Sequence, residues 1–176
     1  TNIYLNETHD GRDYDESLLL PSYDDSEWLP LKEKEIEPAV MAKQFFGGDK
    51  YDYSIEPELI CEDERGKLYD LEADVSGLWV VRFDDDAVSG DTAEISFAEK
   101  LDENKDFLLR HTGGDWRKQN DIYICGENKR EFSPVFTWRA GRYIRVIGKA
   151  SLVRFDVVYA PVPVTAELKT SNENLE

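Results

Sequence analysis

Arg142 is the charged residue that fits its surroundings least. Between Ser133 and Val146 it shares a two-residue face with Ile144 and Val146, where an unpaired charge is costly. Upstream, Ile95, Phe97 and Glu99 share one face of another strand-like run. If that run is a regular strand, Glu99 points inward too. Glu99 and Arg142 are therefore expected to meet as a buried or half-buried bidentate pair that ties two strands together. The alternative is that the pair lines a sugar site. A second candidate is Trp116, in the polar loop from Gly113 to Asn120. An exposed ring beside Asp115, Arg117 and Asn120 offers a face for the apolar side of a sugar and polar groups for its hydroxyls.

Metal chemistry has less support. The runs Asp84-Asp85-Asp86 and Glu62-Asp63-Glu64 carry oxygen ligands, but neither has the spacing of an EF-hand loop, and both read as solvated turns. Two cysteines (Cys61, Cys125) and two histidines (His9, His111) are too few and too scattered for zinc or for a disulfide framework. Both cysteines sit in or beside apolar strand patterns and read as small core residues. No metal site is expected.

Short strands must position these groups. Period-two patterns mark strands at 39–46, 54–61, 67–73, 78–83, 93–101, 121–125, 131–138, 142–148 and 152–159, most of them separated by Gly- and Asp-rich turns. Phe132, Pro134, Phe136 and Trp138 fall on one face of the seventh, and Ala140-Gly141 is expected to turn the chain into the eighth. In the last strand Val153, Phe155, Val157 and Tyr159 are expected to face inward. Trp79 alternates with Val81 and Phe83 and reads as core. Trp138 reads as core too, and Trp28 as a pin for the N-terminal residues. Short, regularly spaced strands with no convincing helix predict an all-β, antiparallel β-sandwich or jelly roll.

Three regions are expected: a polar, turn-rich N-terminal arm at 1–38, the sandwich at 39–166, and the start of a helix at 167–176. Thr170-Ser-Asn-Glu173 is a capping box, so the chain is read as stopping where a helical domain begins. The net charge of −17 argues against nucleic acid and against anionic membrane surfaces as partners, and is compatible with neutral sugars. No apolar run approaches the ~20 residues of a membrane helix.

Several motifs occur together and in order: Leu68-Tyr-Asp-Leu71 followed by Ser76-Gly-Leu-Trp79, Ile95-Ser-Phe-Ala-Glu-Lys-Leu-Asp102, Asp121-Ile-Tyr-Ile-Cys-Gly126, Pro134-Val-Phe136 through Arg142-Tyr143, and Leu168-Lys-Thr-Ser-Asn172 with Leu175. With these motifs the chain resembles the β-sandwich domain that precedes the catalytic domain in bacterial α-L-rhamnosidases. Tyr14-Asp15 with Asp24-Asp25-Ser-Glu-Trp28 resembles the end of a preceding sugar-binding sandwich found in some members. Asp15 stands where those members place an Asp of a calcium-dependent rhamnose site. The Arg and Gly-Trp that usually follow are replaced here by Ser17-Leu18 and a Leu run.

The resemblance implies an inverting glycoside hydrolase whose acidic residues lie in a helical domain, so this chain is expected to carry no catalytic residue and no cofactor. Its implied partners are the catalytic (α/α)-barrel domain of the same polypeptide and a rhamnose-containing carbohydrate. The expected function is accessory, packing on and orienting that catalytic domain, with the Trp116 loop as one place to dock. The rival is an independent carbohydrate-binding module, with Trp116, Arg117, Asp115 and Asp15 as the residues that touch sugar.

Overall fold

Nine strands account for about half of the described residues: β1 (Thr8–Asp10), β2 (Lys50–Ile55), β3 (Glu58–Asp63), β4 (Gly66–Phe83), β5 (Thr92–Ala98), β6 (Asp121–Ile124), β7 (Glu131–Phe132), β8 (Arg139–Gly148) and β9 (Ala150–Tyr159). They come from a computed structural model that describes residues 6–33, 35, 40, 42–43, 47–108, 120–162 and 169–171. Of the expected strand at 39–46, residues 39, 41 and 44–46 lie outside the described residues, as do 163–168 and 172–176, where most of the expected helix start falls.

The strands form one hydrogen-bonded sheet that curls into two layers. One layer runs β1-β6-β5-β8 and then the first half of β4, flanked by β3. In the other, the second half of β4 lies between β7 and β9, and β2 extends beyond β9. Among the described residues every strand pairing is antiparallel except β1 with β6. β4 crosses between the layers. Its pairing to β8 breaks between Asp70 and Val75, and within that break Glu72 takes a positive φ of 64°.

The sandwich core fills the space between the layers. Tyr69, Leu71, Ile95, Tyr123, Ile144 and Val146 come from one layer, and Trp79, Val81, Phe83, Phe132, Leu152, Phe155 and Val157 from the other. Each large side chain removed from water contributes about 1.5–3 kcal/mol. The indole N–H of Trp79 donates to the Tyr123 hydroxyl at 3.0 Å, so neither buried polar group is left unsatisfied.

Local pattern and tertiary structure part at several places. The strand expected at 54–61 is split between β2, which ends at Ile55, and β3, which begins at Glu58, with Pro57 between them. The strands expected at 67–73 and 78–83 are one, because Ser76-Gly77 is strand and not turn. Gly77 lies against β9 so closely that a Cβ there would run into the Asp156 carbonyl. The turn expected at Ala140-Gly141 is likewise absent. β8 pairs with β5 only from Tyr143 on, but the pairing of Arg139, Ala140 and Gly141 with Gly77, Ser76 and Val75 of β4 outweighs the local turn propensity. The strand expected at 131–138 stops at Phe132, since Pro134 has no N–H for a ladder. Phe136 and Trp138 therefore leave the core and are 69% and 49% exposed. Finally, Val153 is an extra residue in β9, since Val80 pairs with Arg154 but Val81 with Leu152. Ala150 and Leu152 face in before it, and Phe155 and Val157 after it, whereas Val153 is half-buried and Tyr159 is exposed.

The N-terminal residues are less separate than an arm. Glu7 is fully buried and β1 is an edge strand of the sheet. Beyond Gly11 the segment is mostly exposed. Trp28 is exposed and packs on Tyr23 of the same segment, so it does not pin the arm to the core. No helix among the described residues is long and apolar enough to cross a membrane.

Candidate functional site

The carboxylate of Glu7 is fully buried and holds four partners. Its Oε2 accepts from the Val135 N–H at 2.9 Å, and its Oε1 from the Phe136 N–H at 2.9 Å and the Thr137 hydroxyl at 2.5 Å. The His9 ring nitrogen Nε2 lies 2.7 Å from Oε2. Two successive backbone N–H groups make a small anion-binding concavity, here filled by a side chain of the same protein. Burial alone pushes the Glu7 pKa up. The hydrogen bonds from Thr137, Val135, His9 and Phe136 outweigh it and hold the group at about 2.

The sheet places Glu7 there. The Ile122 N–H donates to the Glu7 carbonyl at 2.9 Å, and the Glu7 N–H donates to Asp121 Oδ1 at 2.8 Å. Asp121 begins β6 on the inward face, in register with Ile95 and Val146. It accepts from Arg139 Nη2 of β8 at 3.0 Å, and both side chains are buried. Burial pushes the Asp121 carboxyl above its ordinary range, against the pull of the Glu7 N–H and of Arg139.

This chain of contacts fixes the backbone of the loop after Pro134. With Pro134 and Thr137 facing inward, Val135, Phe136 and Trp138 face outward, all three exposed. The result is an apolar surface on a preorganised loop. The sequence offered no local signal for it, since Glu7 is more than a hundred residues from the loop it holds. The arrangement is not a hydrolytic one. A general acid must hold a proton near neutral pH and reach the substrate. Glu7 is ionised and saturated with donors, and neither it nor Asp121 reaches the surface.

The other expected groups fare differently. The clamp on Arg142 exists, but its partner is Asp70 and not Glu99. Arg142 Nε and Nη2 each donate to one Asp70 oxygen at 2.7 Å. β5 ends at Ala98, opposite Tyr143, so Glu99 stands past the ladder and is exposed. Asp70 lies opposite Tyr143 on the other side of β8, at the break in β4. The Arg142 guanidinium, bonded to it, holds the Asp70 carboxyl below its usual range. Trp116, Arg117 and Asp115 lie outside the described residues. Asp15 is exposed and caps the 3-10 turn Glu16–Leu19, accepting from the Ser17 N–H at 2.9 Å.

The acidic runs are tied to the chain in part. Asp84 accepts from Lys67 Nζ at 2.7 Å and from the Ser151 hydroxyl at 2.8 Å, while Asp63 pairs with Arg65. Burial works against the charge on Lys67, but its bond to Asp84 holds the ammonium protonated, so it is no base for Ser151. Among the described residues no three His, Cys, Asp or Glu side chains gather to hold a metal ion.

Residues 63–161 match the family model of the bacterial alpha-L-rhamnosidase concanavalin-like domain. The chain belongs to that family. The match takes in Asp70, Asp121, the outward loop and Arg142, whereas Glu7 lies outside it. No curated protein matches the chain. Among solved structures, the alpha-L-rhamnosidase of Dictyoglumus thermophilum is 24% identical with a TM-score of 0.76, covering 98% of this chain and 20% of that one. That of Streptomyces avermitilis, solved in complex with L-rhamnose, is 21% identical with a TM-score of 0.76, covering 96% of this chain and 17% of that one. That of Aspergillus terreus is 17% identical with a TM-score of 0.74, covering 99% of this chain and 21% of that one. The rhamnosidase-family fold is thus shared over almost the whole chain, which spans about a fifth of each of these proteins.

Proposed function

We propose that this domain is a non-catalytic part of an α-L-rhamnosidase-like glycoside hydrolase, and that it packs on and orients a catalytic domain of the same polypeptide. The observation that carries this reading is the Glu7-held loop. Val135, Phe136 and Trp138 are 67%, 69% and 49% exposed on a chain whose net charge is −17. An apolar surface on a rigid backbone loses little entropy when a partner covers it. Membership of the family supports it, as does the chain's span of about a fifth of the rhamnosidases it resembles.

Covering the Phe136 and Trp138 rings contributes about 1.5–3 kcal/mol each to the contact. In the full-length polypeptide, the double substitution Phe136→Ser and Trp138→Ser is expected to uncouple the unfolding of the two domains and to lower turnover of a nitrophenyl α-L-rhamnoside. The melting temperature of the 176-residue chain alone should stay within a few degrees of the wild type. Unchanged calorimetric coupling in the full-length variant refutes this docking surface. Rhamnoside hydrolysis by the 176-residue chain itself refutes the non-catalytic reading.

A further inference from the structure

The strand that carries Glu7 is held by the sandwich as a peptide ligand is held. Residues on one face of an extended segment recur at every second position, and here the inward set is Glu7, His9 and Gly11. Each has its own seat. The Glu7 carboxylate fills the concavity of Val135, Phe136 and Thr137. The His9 ring lies against Tyr123, with 5.5 Å between ring centres. Gly11 is so close to the Phe132 ring and the Ile124 carbonyl that a Cβ would strike both. Backbone bonds frame the seats. Ile122 N–H donates to the Glu7 carbonyl and Gly11 N–H to the Ile124 carbonyl, both at 2.9 Å. Main-chain bonds along a sheet edge, with side-chain seats at alternate positions, are how a sheet takes up an added strand.

The seats and their occupant come from different parts of the chain. β6, Phe132 and the loop at 135–137 lie within residues 63–161, which match the family model, and residues 6–11 lie outside them. Among the described residues β1 pairs with β6 alone, over three residues and in parallel. Over residues 12–31 the hydrogen bonds among described residues stay within the segment or return to Asp10 and Gly11. Most of these residues are exposed, and the Tyr14 ring rests on Lys129 near the start of the segment. The segment is a tether and not a continuation of the sheet. An edge element attached in this way can open on its own while the core strands stay closed.

We propose that residues 6–11 are a detachable latch, a tethered peptide that closes a strand-acceptor groove beside β6 and whose carboxylate, once seated, sets the loop bearing Phe136 and Trp138. The ligand class of the groove is an extended segment with a carboxylate at its first anchor, a ring at the second and no side chain at the third. With the latch open, the Val135 and Phe136 N–H groups lose their acceptor and the loop is released. That an open latch also weakens contact with a neighbouring domain rests on the docking reading above, whereas the latch itself does not.

The test is amide hydrogen exchange of the 176-residue chain at pH 7, read by NMR. A latch that opens as a unit uncovers the amides of Glu7, Gly11, Ile122, Val135 and Phe136 together. These five are expected to share one protection and to exchange about 10-fold or more faster than the core amides of β8, which open only on global unfolding. In Glu7→Ala, acetate matches the atoms removed. It should slow exchange at Val135 and Phe136 saturably, while chloride at equal ionic strength does not and acetate leaves the wild type unchanged. Protection of the five amides equal to that of β8, or protection at Val135 and Phe136 unrelated to that at Gly11 and Ile122, would overturn the proposal. So would acetate that acts alike on both proteins or on neither. The first measurement uses the wild type alone and decides even where the variant does not fold. The docking reading is measured on the longer polypeptide and survives any of these results.

Discussion

Glu7 shows how one side chain can organise a surface it does not belong to. Its pKa of about 2 lies below the ordinary value of 4.5, so the folded state releases the proton more readily than the unfolded chain. The resulting stability is fully present above about pH 4.5 and is lost as the pH falls toward 2. A shift of this size corresponds to about 3 kcal/mol. Glu7→Gln keeps the shape but turns one acceptor oxygen into a donor that faces the N–H groups. It is expected to lower stability by about 3 kcal/mol at pH 7 and to flatten the acid limb of the unfolding curve, as read by urea denaturation across pH. An unchanged acid limb would show that Glu7 is not the group responsible. The Arg142–Asp70 pair is weaker, because the Arg142 side chain is 39% exposed. Asp70→Asn should therefore cost only about 1 kcal/mol, and Glu99→Ala less than about 0.5 kcal/mol, in the same denaturation measurement. The reverse ranking would restore Glu99 as the partner. That Arg142 needed a partner could be read from its parity with Ile144 and Val146. The identity of that partner could not, because it depends on where β5 ends and where β4 breaks.

Among the elements, β4 is the strand that joins the layers. Its first half pairs with β3 and β8, and its second with β7 and β9. The crossing depends on close approach at Gly77. Gly77→Ala puts a methyl group against the Asp156 carbonyl between two paired strands and is expected to cost about 1–3 kcal/mol through strain. The check is the melting temperature, and an unchanged value would mean that β9 can move aside without cost. The same residue shows why a turn was expected in the wrong place. Ser-Gly is a turn signal when the neighbouring chain is ignored, but a Gly inside a strand also marks a site where another backbone comes close. Ala140-Gly141 misleads in the same way, with Gly141 packed on Phe97 and Ala98.

The molecule as a whole is strongly acidic, with a net charge of −17 on 176 residues. Self-repulsion on this scale opposes the compact state and is screened by salt. Raising the ionic strength from about 0.01 M to about 0.15 M shortens the Debye length from roughly 30 Å to roughly 8 Å. The melting temperature should rise over that interval at pH 7. A fall would mean that ion pairs such as Arg65–Asp106 and Arg82–Glu131 outweigh the net repulsion. Against this acidic background the exposed Val135, Phe136 and Trp138 stand out as an apolar patch.

The all-β class and most strand positions were legible in the sequence, because side-chain alternation and turn chemistry are local properties. The ordered motifs from Leu68 to Tyr143 also pointed to the rhamnosidase family, and the family match at 63–161 spans them. What only the tertiary structure decided depends on contacts between distant residues. Glu7 reads as part of a polar arm until it is placed 128 residues away in sequence against the Val135 N–H. Phe136 and Trp138 read as core until Pro134 ends β7 and that carboxylate turns the loop outward. Alternation records which residues share a face of a strand, but carries no information on which strand lies opposite or where a ladder stops, and those two facts place the exposed apolar loop.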